Sequence, residues 1–308
     1  MSRIHEALKK AEQERAALPG NAAPAATPVA AIETQEEMPS FAGTGMPAVK
    51  AAFPSSMPPF ASPDGRDAVL SRCAQVEWKP EETTMLFFNG NDAGRGMEEF
   101  RTLRSRLYHT REKMPLRKIL VTSALPKEGK SFTAANLAQV LARQQGRRVL
   151  LIDADLRSPR LHTMLGTTVS PGLADYLRGE NDEFSIMQHG PMENLFFIPA
   201  GEKISNPAEL VSNERLKVLL QRVESLFEWI ILDSPPAVPV SDASVLAKCC
   251  DGVILVVRSN ATPVDMARRA REEFPDQALV GVVLNGTEHK IGDYDQYYYE
   301  ANGNESKG

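Results

Sequence analysis

Several features that mark particular classes of protein are scarce in this sequence of 308 residues. It has only three cysteines, Cys73, Cys249 and Cys250, without the spacing of a disulfide framework or a zinc site, so we expect reduced thiols in a reducing compartment. No apolar run approaches the roughly 18–20 residues that cross a bilayer, and the charged N-terminus does not resemble a signal peptide. These absences predict a cytoplasmic chain that reaches a membrane only through another molecule.

An excess of positive charge is also missing. The sequence has 35 Lys and Arg residues against 40 Asp and Glu residues, which gives a formal net charge of −5. Such a chain offers no general basic field to phosphate backbones, so nucleic acid is not a predicted partner. The hydrophobic share of 42% is ordinary for a folded globular chain and excludes a fibre or a wholly disordered protein.

The composition divides the chain into four parts. Residues 1–17 place apolar side chains at helical spacing opposite a charged face, which predicts an amphipathic helix or, equally, a helix that forms only transiently. Residues 18–93 are rich in Ala, Pro, Gly and Ser, which predicts a mostly disordered linker, with Thr83–Phe88 as one candidate edge strand. Residues 94–286 have the pattern of a folded domain, and residues 287–308 that of a flexible tail.

Short apolar runs alternate with amphipathic stretches throughout the predicted domain. The runs are rich in Val, Ile and Leu on both faces, as in strands that helices cover on both sides. This order predicts an α/β fold with a doubly wound, mostly parallel sheet and helices on both faces. The predicted strands are 118–122, 148–153, 195–199, 229–233, 252–257 and 279–284, and the predicted helices are 131–145, 214–227, 243–248 and 264–273.

A candidate phosphate-binding loop, residues 123–131, lies between the first of these strands and a helix. Gly129 allows the backbone to approach a phosphate closely, Lys130 can neutralise β- and γ-phosphate oxygens, and Ser131 can bind Mg²⁺. The loop has Ala124 where the pattern G-x-x-x-x-G-K-[ST] has glycine, and an isolated Gly-Lys-Ser is often a surface turn. The strand before it and the helix after it favour nucleotide binding by Pro126, Lys127, Glu128, Gly129, Lys130, Ser131 and Phe132.

Acidic residues follow two of the predicted strands. Asp153 and Asp155 end one strand and Asp233 ends another, and the carboxyl ends of parallel strands line the ligand crevice. Two acids separated by one residue repel each other unless a cation lies between them, which favours a Mg²⁺ site. Two alternatives stay open: Asp233 caps the next turn, or Arg157 and Arg160 supply the positive charge instead of a metal.

Three segments together resemble the bacterial tyrosine kinases of polysaccharide biosynthesis, the BY-kinases. They are SALPKEGKS, LLIDADLRSPR and IILDSPP, in this order, and the resemblance extends over residues 98–299. It implies a P-loop fold of the MinD/ParA type that phosphorylates tyrosine with ATP and Mg²⁺. It further implies that Asp153 is the catalytic base, supported by Lys130 and Asp155, that Ser131, Asp155 and Asp233 hold the metal, and that Asn285 contacts adenine.

The same resemblance implies partners. Glu98, Arg101 and Arg104 match the Glu-x-x-Arg-x-x-Arg element of the family, which contacts the next subunit of a ring-like homo-oligomer, although a solvated charged face is the simpler interpretation. The separate-polypeptide type of the family implies a membrane-anchored chain-length-determinant activator. A phosphotyrosine phosphatase is a further possible partner.

Tyrosine clusters at the C-terminus. Of six tyrosines, four lie in the last fifteen residues: Tyr294, Tyr297, Tyr298 and Tyr299. Disordered tails normally contain few aromatic residues, so the cluster indicates phosphorylation sites, with an aromatic patch that docks on the domain as the alternative.

Two other functions compete with the kinase. A ParA/MinD-like partitioning or positioning ATPase shares the fold and motifs, but that group has a lysine early in the loop, where this sequence has Leu125. A regulatory module that binds nucleotide without chemistry is the second alternative, against which the intact Lys130 and Ser131 argue.

Overall fold

The computed structural model describes residues 68, 70–88, 96–275 and 278–287. The predicted N-terminal helix, most of the predicted linker and the four clustered tyrosines lie outside these residues. Within them, an eight-stranded sheet has the order β1-β4-β5-β3-β6-β2-β7-β8. Its strands are β1 (Ala74–Gln75), β2 (Lys118–Ser123), β3 (Val149–Asp153), β4 (Gln188–His189), β5 (Leu195–Ile198), β6 (Trp229–Asp233), β7 (Gly252–Arg258) and β8 (Leu279–Asn285).

Helices connect these strands and cover both faces of the sheet. They are α1 (Met97–Arg111), α2 (Lys130–Ala142), α3 (Leu161–Leu165), α4 (Leu173–Arg178), α5 (Pro207–Val211), α6 (Glu214–Val223), α7 (Asp242–Ala247) and α8 (Val264–Glu272). Among the described residues, no helix combines the length and the apolar character of a membrane span. All strand pairs are parallel except β4 with β5.

Burial on both faces explains why the central strands are continuously apolar. Every residue of β3 and β6 is buried, and their side chains alternate between two hydrophobic cores on opposite faces of the sheet. Helix α2 packs against β2, β3 and β6, and twelve of its thirteen residues are buried. The helix that follows the candidate phosphate loop is therefore held firmly against the middle of the sheet, which fixes the loop at the carboxyl ends of the strands.

The predicted fold class is confirmed. All six predicted strands and four predicted helices are present, with ends that differ by up to four residues. The prediction missed the short elements β1, β4, α3, α4 and α5, which are too short for a hydrophobic period to be recognised. The list of predicted helices also lacks the 15-residue α1, of which the sequence analysis identified only the charged positions Glu98, Arg101 and Arg104.

The structure differs from the prediction at the end of the linker. Residues 70–88 pack against the domain and bury Trp78, Met85 and Phe87 in its core. Thr83–Phe88 forms turns rather than the expected edge strand, and the edge strand of this region is instead β1. The low-complexity composition holds only upstream of these large apolar side chains, so the folded domain begins well before residue 94.

Asn136 of α2 fastens this segment to the domain. Its side chain, which is fully buried, accepts a hydrogen bond from the backbone N–H of Leu86 (2.8 Å) and donates one to the carbonyl of Thr84 (2.8 Å). We expect Asn136→Ala to lower the free energy of unfolding by about 2 kcal/mol, because two backbone groups lose their partner. Urea titration tests this prediction. The control is Asn181→Ala, which removes an exposed hydrogen bond between the side chains of Asn181 and Ser185. Equal midpoints for the two variants would contradict the anchoring role.

Candidate nucleotide site

The candidate phosphate loop connects β2 to the N-terminus of α2. Gly129 caps the helix with φ of 97°, a conformation that favours glycine, and a Cβ atom there would lie 2.0 Å from Nδ2 of Asn285. Lys127 also has a positive φ, 66°. The loop thus turns tightly and directs the first N–H groups of α2 outward, which is the arrangement that binds anions at helix N-termini.

Lys130 lies among the predicted acidic residues. Its Nζ is 2.7 Å from Oδ2 of Asp155, 4.0 Å from Oδ1 of Asp233 and 3.3 Å from Oγ of Ser131. Lys130 is 8% exposed and the aspartates at most 2%, so the cluster is shielded from water. The fold brings it together because β3 and β6 are adjacent and pair Asp153 directly with Asp233.

The buried charges change one another's protonation. Burial raises the pKa of Asp153 well above its usual range, and the neighbouring Asp233 carboxylate raises it further. Burial also raises the pKa of Asp233 to about 6, although the Lys130 ammonium opposes this change. For Lys130, burial favours the neutral amine, but Asp233 and Asp155 outweigh it and raise the pKa, so this lysine stays charged.

The three aspartates differ in how many hydrogen bonds they accept. Asp153 accepts backbone N–H groups of Asp155, Arg160 and Leu161 at 3.1–3.3 Å, and Oδ1 of Asp155 accepts that of Ser158 at 3.0 Å. Both oxygens of Asp233 are buried, and neither accepts a hydrogen bond of normal geometry within the described part of the chain, although Ser131 and Ser234 are close enough to lower its pKa. The Lys130 ammonium is 4.0 Å away, so this carboxylate is only partly compensated, and a divalent cation would satisfy it.

A magnesium ion fits this donor set. Ser131 contributes a hydroxyl and Asp233 two unsatisfied carboxylate oxygens, and Mg²⁺ commonly takes one or two carboxylates and completes its shell with water and substrate phosphates. Among the described residues, no group of three or more His, Cys, Asp or Glu side chains is arranged to hold a metal ion by itself, so water and phosphate oxygens would have to complete the shell.

Other predicted nucleotide-site residues lie around the loop. Pro126 and Lys127 are exposed, whereas Glu128 is buried and accepts a hydrogen bond from the Leu125 N–H through its carboxylate. Phe132 packs against Phe100 of α1, with ring centroids 5.9 Å apart.

Asn285, predicted as an adenine contact, donates from Nδ2 to the Glu128 carbonyl at 2.9 Å. The structure thus places its amide on the loop backbone.

The structure also shows contacts near the site that the sequence motifs did not predict. Arg157 forms a two-point ion pair with Asp242 at the N-terminus of α7, with distances of 2.7 and 2.9 Å. Thr262 donates a hydrogen bond to the carboxylate of Glu128. A strand-end location is the only signal that Thr262 offered, because it lies just after β7, next to the loop in space and far from it in sequence.

The predicted interface residues lie on α1, apart from the acidic cluster. Glu98 and Arg101 form an ion pair at 3.0 Å, and Arg104 donates to the Val140 carbonyl at 3.2 Å. These side chains line a shallow groove of about 710 Å³, together with Thr102, Ser105, Arg106, His109, Thr110 and Val280. Within a single chain, the side chains of Glu98, Arg101 and Arg104 therefore have partners and also border a groove that is open to solvent.

A mostly parallel sheet with a phosphate loop after an inner strand and acids at the ends of two adjacent strands defines a P-loop nucleotide-binding protein. A protein-family model described as "AAA domain" matches residues 119–265.

Curated relatives specify the family. The chain is 36% identical over 204 residues to the tyrosine-protein kinase YwqD of Bacillus subtilis, which covers 66% of this chain and 85% of that protein. It is 32% identical over 182 residues to the tyrosine-protein kinase CpsD of Streptococcus agalactiae, covering 58% and 79% of the two chains. The chain belongs to the family of bacterial tyrosine-protein kinases.

Solved structures agree with this assignment. The kinase domain of the Escherichia coli tyrosine kinase ETK has a TM-score of 0.61 at 26% identity, over 72% of this chain and 92% of that one. The chimerical protein CapA2B2 has a TM-score of 0.62 at 26% identity, over 71% and 97%.

Proposed function

We propose that this chain is an ATP-dependent protein-tyrosine kinase that phosphorylates its own C-terminal tyrosines in trans. The observation that carries the proposal is the buried cluster of Lys130, Asp153, Asp155 and Asp233 at the mouth of the phosphate loop. The Lys130 ammonium can neutralise charge on a triphosphate, and the carboxylates can bind a metal ion and accept a proton. The family of the chain supports the same reaction.

The chemistry requires a proton acceptor because a tyrosine hydroxyl, with a pKa near 10, is a poor nucleophile at neutral pH. In the proposed reaction, the tyrosine oxygen bonds to the γ-phosphorus of ATP, the bond to the β-phosphate oxygen breaks, and ADP leaves. The phenolic proton passes to Asp153, whose raised pKa makes it a better base than an ordinary aspartate. Lys130 stabilises the negative charge on the phosphates.

We assign the remaining predicted residues within this proposal. Ser131, Asp155 and Asp233 would hold Mg²⁺, which supplies charge neutralisation for the transferred phosphate when it is bound. The acceptors are Tyr294, Tyr297, Tyr298 and Tyr299, which lie outside the described residues. Acidic residues flank them, so each added phosphate, with about −1.5 to −2 charges, increases the repulsion between tails.

The wider role is also a proposal. The α1 residues Glu98, Arg101 and Arg104 would contact a neighbouring subunit in a ring-like homo-oligomer, which brings each tail to an adjacent site. A membrane-anchored chain-length-determinant protein would activate the kinase and recruit it to the inner face of the membrane, and a phosphatase would reverse the modification. The pathway served would be extracellular or capsular polysaccharide synthesis and export, as the resemblance to the BY-kinases implies.

Replacing the four clustered tyrosines with phenylalanine tests the proposal. We expect incubation of the full chain with Mg²⁺ and γ-labelled ATP to place label on the wild-type tail and to leave the fourfold variant with about a tenth of that label or less, because phenylalanine has no hydroxyl. Replacing Tyr108 and Tyr176 instead provides the matched control, since these two tyrosines lie within the folded domain. Release of free phosphate without labelled protein would support an ATPase instead.

A further inference from the structure

Two side chains outside the phosphate loop hold its backbone in place. We propose that Thr262, assisted by Asn285, is a positioning residue that fixes the phosphate loop in its nucleotide-binding conformation by way of Glu128. The inference rests on the proposed nucleotide-dependent function, and it adds residues of the β7–α8 loop and the end of β8 to the machinery of that site.

The Glu128 carboxylate is the point of attachment. It is 4% exposed, one oxygen accepts the Leu125 N–H of the same loop at 2.9 Å, and the other accepts the Thr262 hydroxyl. The Thr262 oxygen in turn accepts the backbone N–H of Arg258 at 3.0 Å, so its hydrogen atom is directed to Glu128. Both carboxylate oxygens are thereby used, one within the loop and one outside it, and the side chain cannot turn toward a ligand without breaking a hydrogen bond.

The loop carbonyls are held from the same side. The amide of Asn285 donates to the carbonyl of Glu128 at 2.9 Å, and the Arg258 guanidinium donates to the carbonyl of Lys127 at 3.4 Å. A phosphate-binding loop must present N–H groups to the anion and keep its carbonyl oxygens away from it. Donors that capture two consecutive carbonyls meet this requirement directly, because each captured carbonyl turns its peptide N–H to the opposite side.

The sheet explains why these residues are near the loop. Strand β7 pairs with β2, which leads into the loop, and β8 pairs with β7, all in parallel. The carboxyl ends of β2, β7 and β8 therefore lie side by side at the same end of the sheet. This brings Thr262 close to Glu128, although the two are 134 residues apart in the sequence. The contact is a property of the topology and cannot be read from the phosphate-loop motif.

Nucleotide affinity gives the direct test. For the full chain, we expect Thr262→Val to raise the Kd for a fluorescent ATP analogue about tenfold, because a buried carboxylate loses a hydrogen-bond donor and the loop is released. Thr262→Ser should return the Kd to within about twofold of the wild type. Thr167→Val is the matched control, since this half-buried threonine also donates to a side-chain oxygen, Oε1 of Gln188 at 2.6 Å, and should leave the Kd unchanged.

A double-mutant cycle separates positioning from general destabilisation. If Thr262 acts through Glu128, Thr262→Val should have less than about a twofold effect on the Kd in a Glu128→Gln background. Additive effects, or a wild-type Kd in Thr262→Val, would overturn the proposal. If valine prevents folding, the Kd of Glu128→Gln alone decides, since an unchanged value contradicts the role. The binding assay needs neither phosphotransfer nor the proposed activator, so tail labelling can fail while the predicted changes in Kd hold, and failure of the kinase proposal is distinguishable from failure of this one.

Discussion

Replacing Lys130 with methionine is expected to lower the rate of tail phosphorylation at least about a hundredfold. The ammonium is the buried positive charge nearest the acidic cluster, 2.7 Å from Asp155, and a preorganised charge of this kind typically contributes two to three orders of magnitude to a rate. Methionine retains much of the side-chain length and removes the charge. The initial rate of phosphotyrosine formation at saturating ATP and Mg²⁺ measures the effect.

The same substitution has a second consequence, on stability. Removing one partner of a buried ion pair leaves the other charge unpaired, which typically costs about 3–5 kcal/mol unless the carboxylates take up protons. A loss of activity therefore needs a control that loses a comparable ion pair elsewhere. Lys118 provides it, because its side chain is 14% exposed and its Nζ lies 2.8 Å from Glu224 and 3.4 Å from Asp251, at the opposite end of β2.

Lys118→Met should lose stability and keep its specific activity per folded molecule. Lys130→Met should lose activity even at temperatures where circular dichroism finds it fully folded. Comparable phosphorylation rates for the two folded variants would show that the charge of Lys130 does not act in the transfer.

The central part of the fold could be predicted because its signals are local. Strands such as β3 and β6 are buried on both faces, so an unbroken apolar run identifies them without any knowledge of their neighbours. The same holds for Lys130 and Ser131, which follow from a strand, a loop and a helix that are contiguous in sequence. Once the sheet is parallel, the strand-end location of Asp153 and Asp233 follows from topology alone.

The remaining features depend on contacts between distant segments. Residues 70–88 follow a low-complexity stretch, so their composition gives little sign that they are folded. Only the tertiary structure shows that Trp78 and Phe87 are buried in the hydrophobic core. The ion pair of Arg157 with Asp242 and the hydrogen bond of Thr262 to Glu128 join residues 85 and 134 positions apart. No periodicity or motif encodes such pairs, because each side chain alone is an ordinary loop or helix-end residue.

Asp233→Asn is expected to make the nucleotide-free protein more stable while it abolishes the kinase reaction. Burial raises the pKa of Asp233 from the ordinary 3.8 to about 6, so the folded state binds the proton more tightly than the unfolded state does. Stability from this group is therefore complete below pH 4 and is lost as the pH rises through 6. At pH 7.5 the ionised carboxylate costs on the order of 3 kcal/mol, which an uncharged asparagine avoids.

Urea unfolding at pH 4 and pH 7.5, in the presence of EDTA, measures this difference. The stability gain of Asp233→Asn should be large at pH 7.5 and small at pH 4. Asp182 is the matched control of opposite sign: burial acts to raise its pKa, but hydrogen bonds from the backbone N–H groups of Ser185 and Phe184 outweigh it and lower the pKa. Asp182→Asn should accordingly lose stability at pH 7.5 and approach the wild type at low pH.

The activity of Asp233→Asn then tests why the protein retains an unfavourable charge. An asparagine has one carbonyl oxygen and no charge, so we expect the Mg²⁺ concentration for half-maximal phosphorylation to rise strongly. At a Mg²⁺ concentration that saturates the wild type, the rate should fall by about two to three orders of magnitude. A more stable variant with wild-type activity would mean that the unsatisfied oxygens of Asp233 have no role in metal binding. A more stable and inactive variant would show that this carboxylate destabilises the empty site in order to bind the metal.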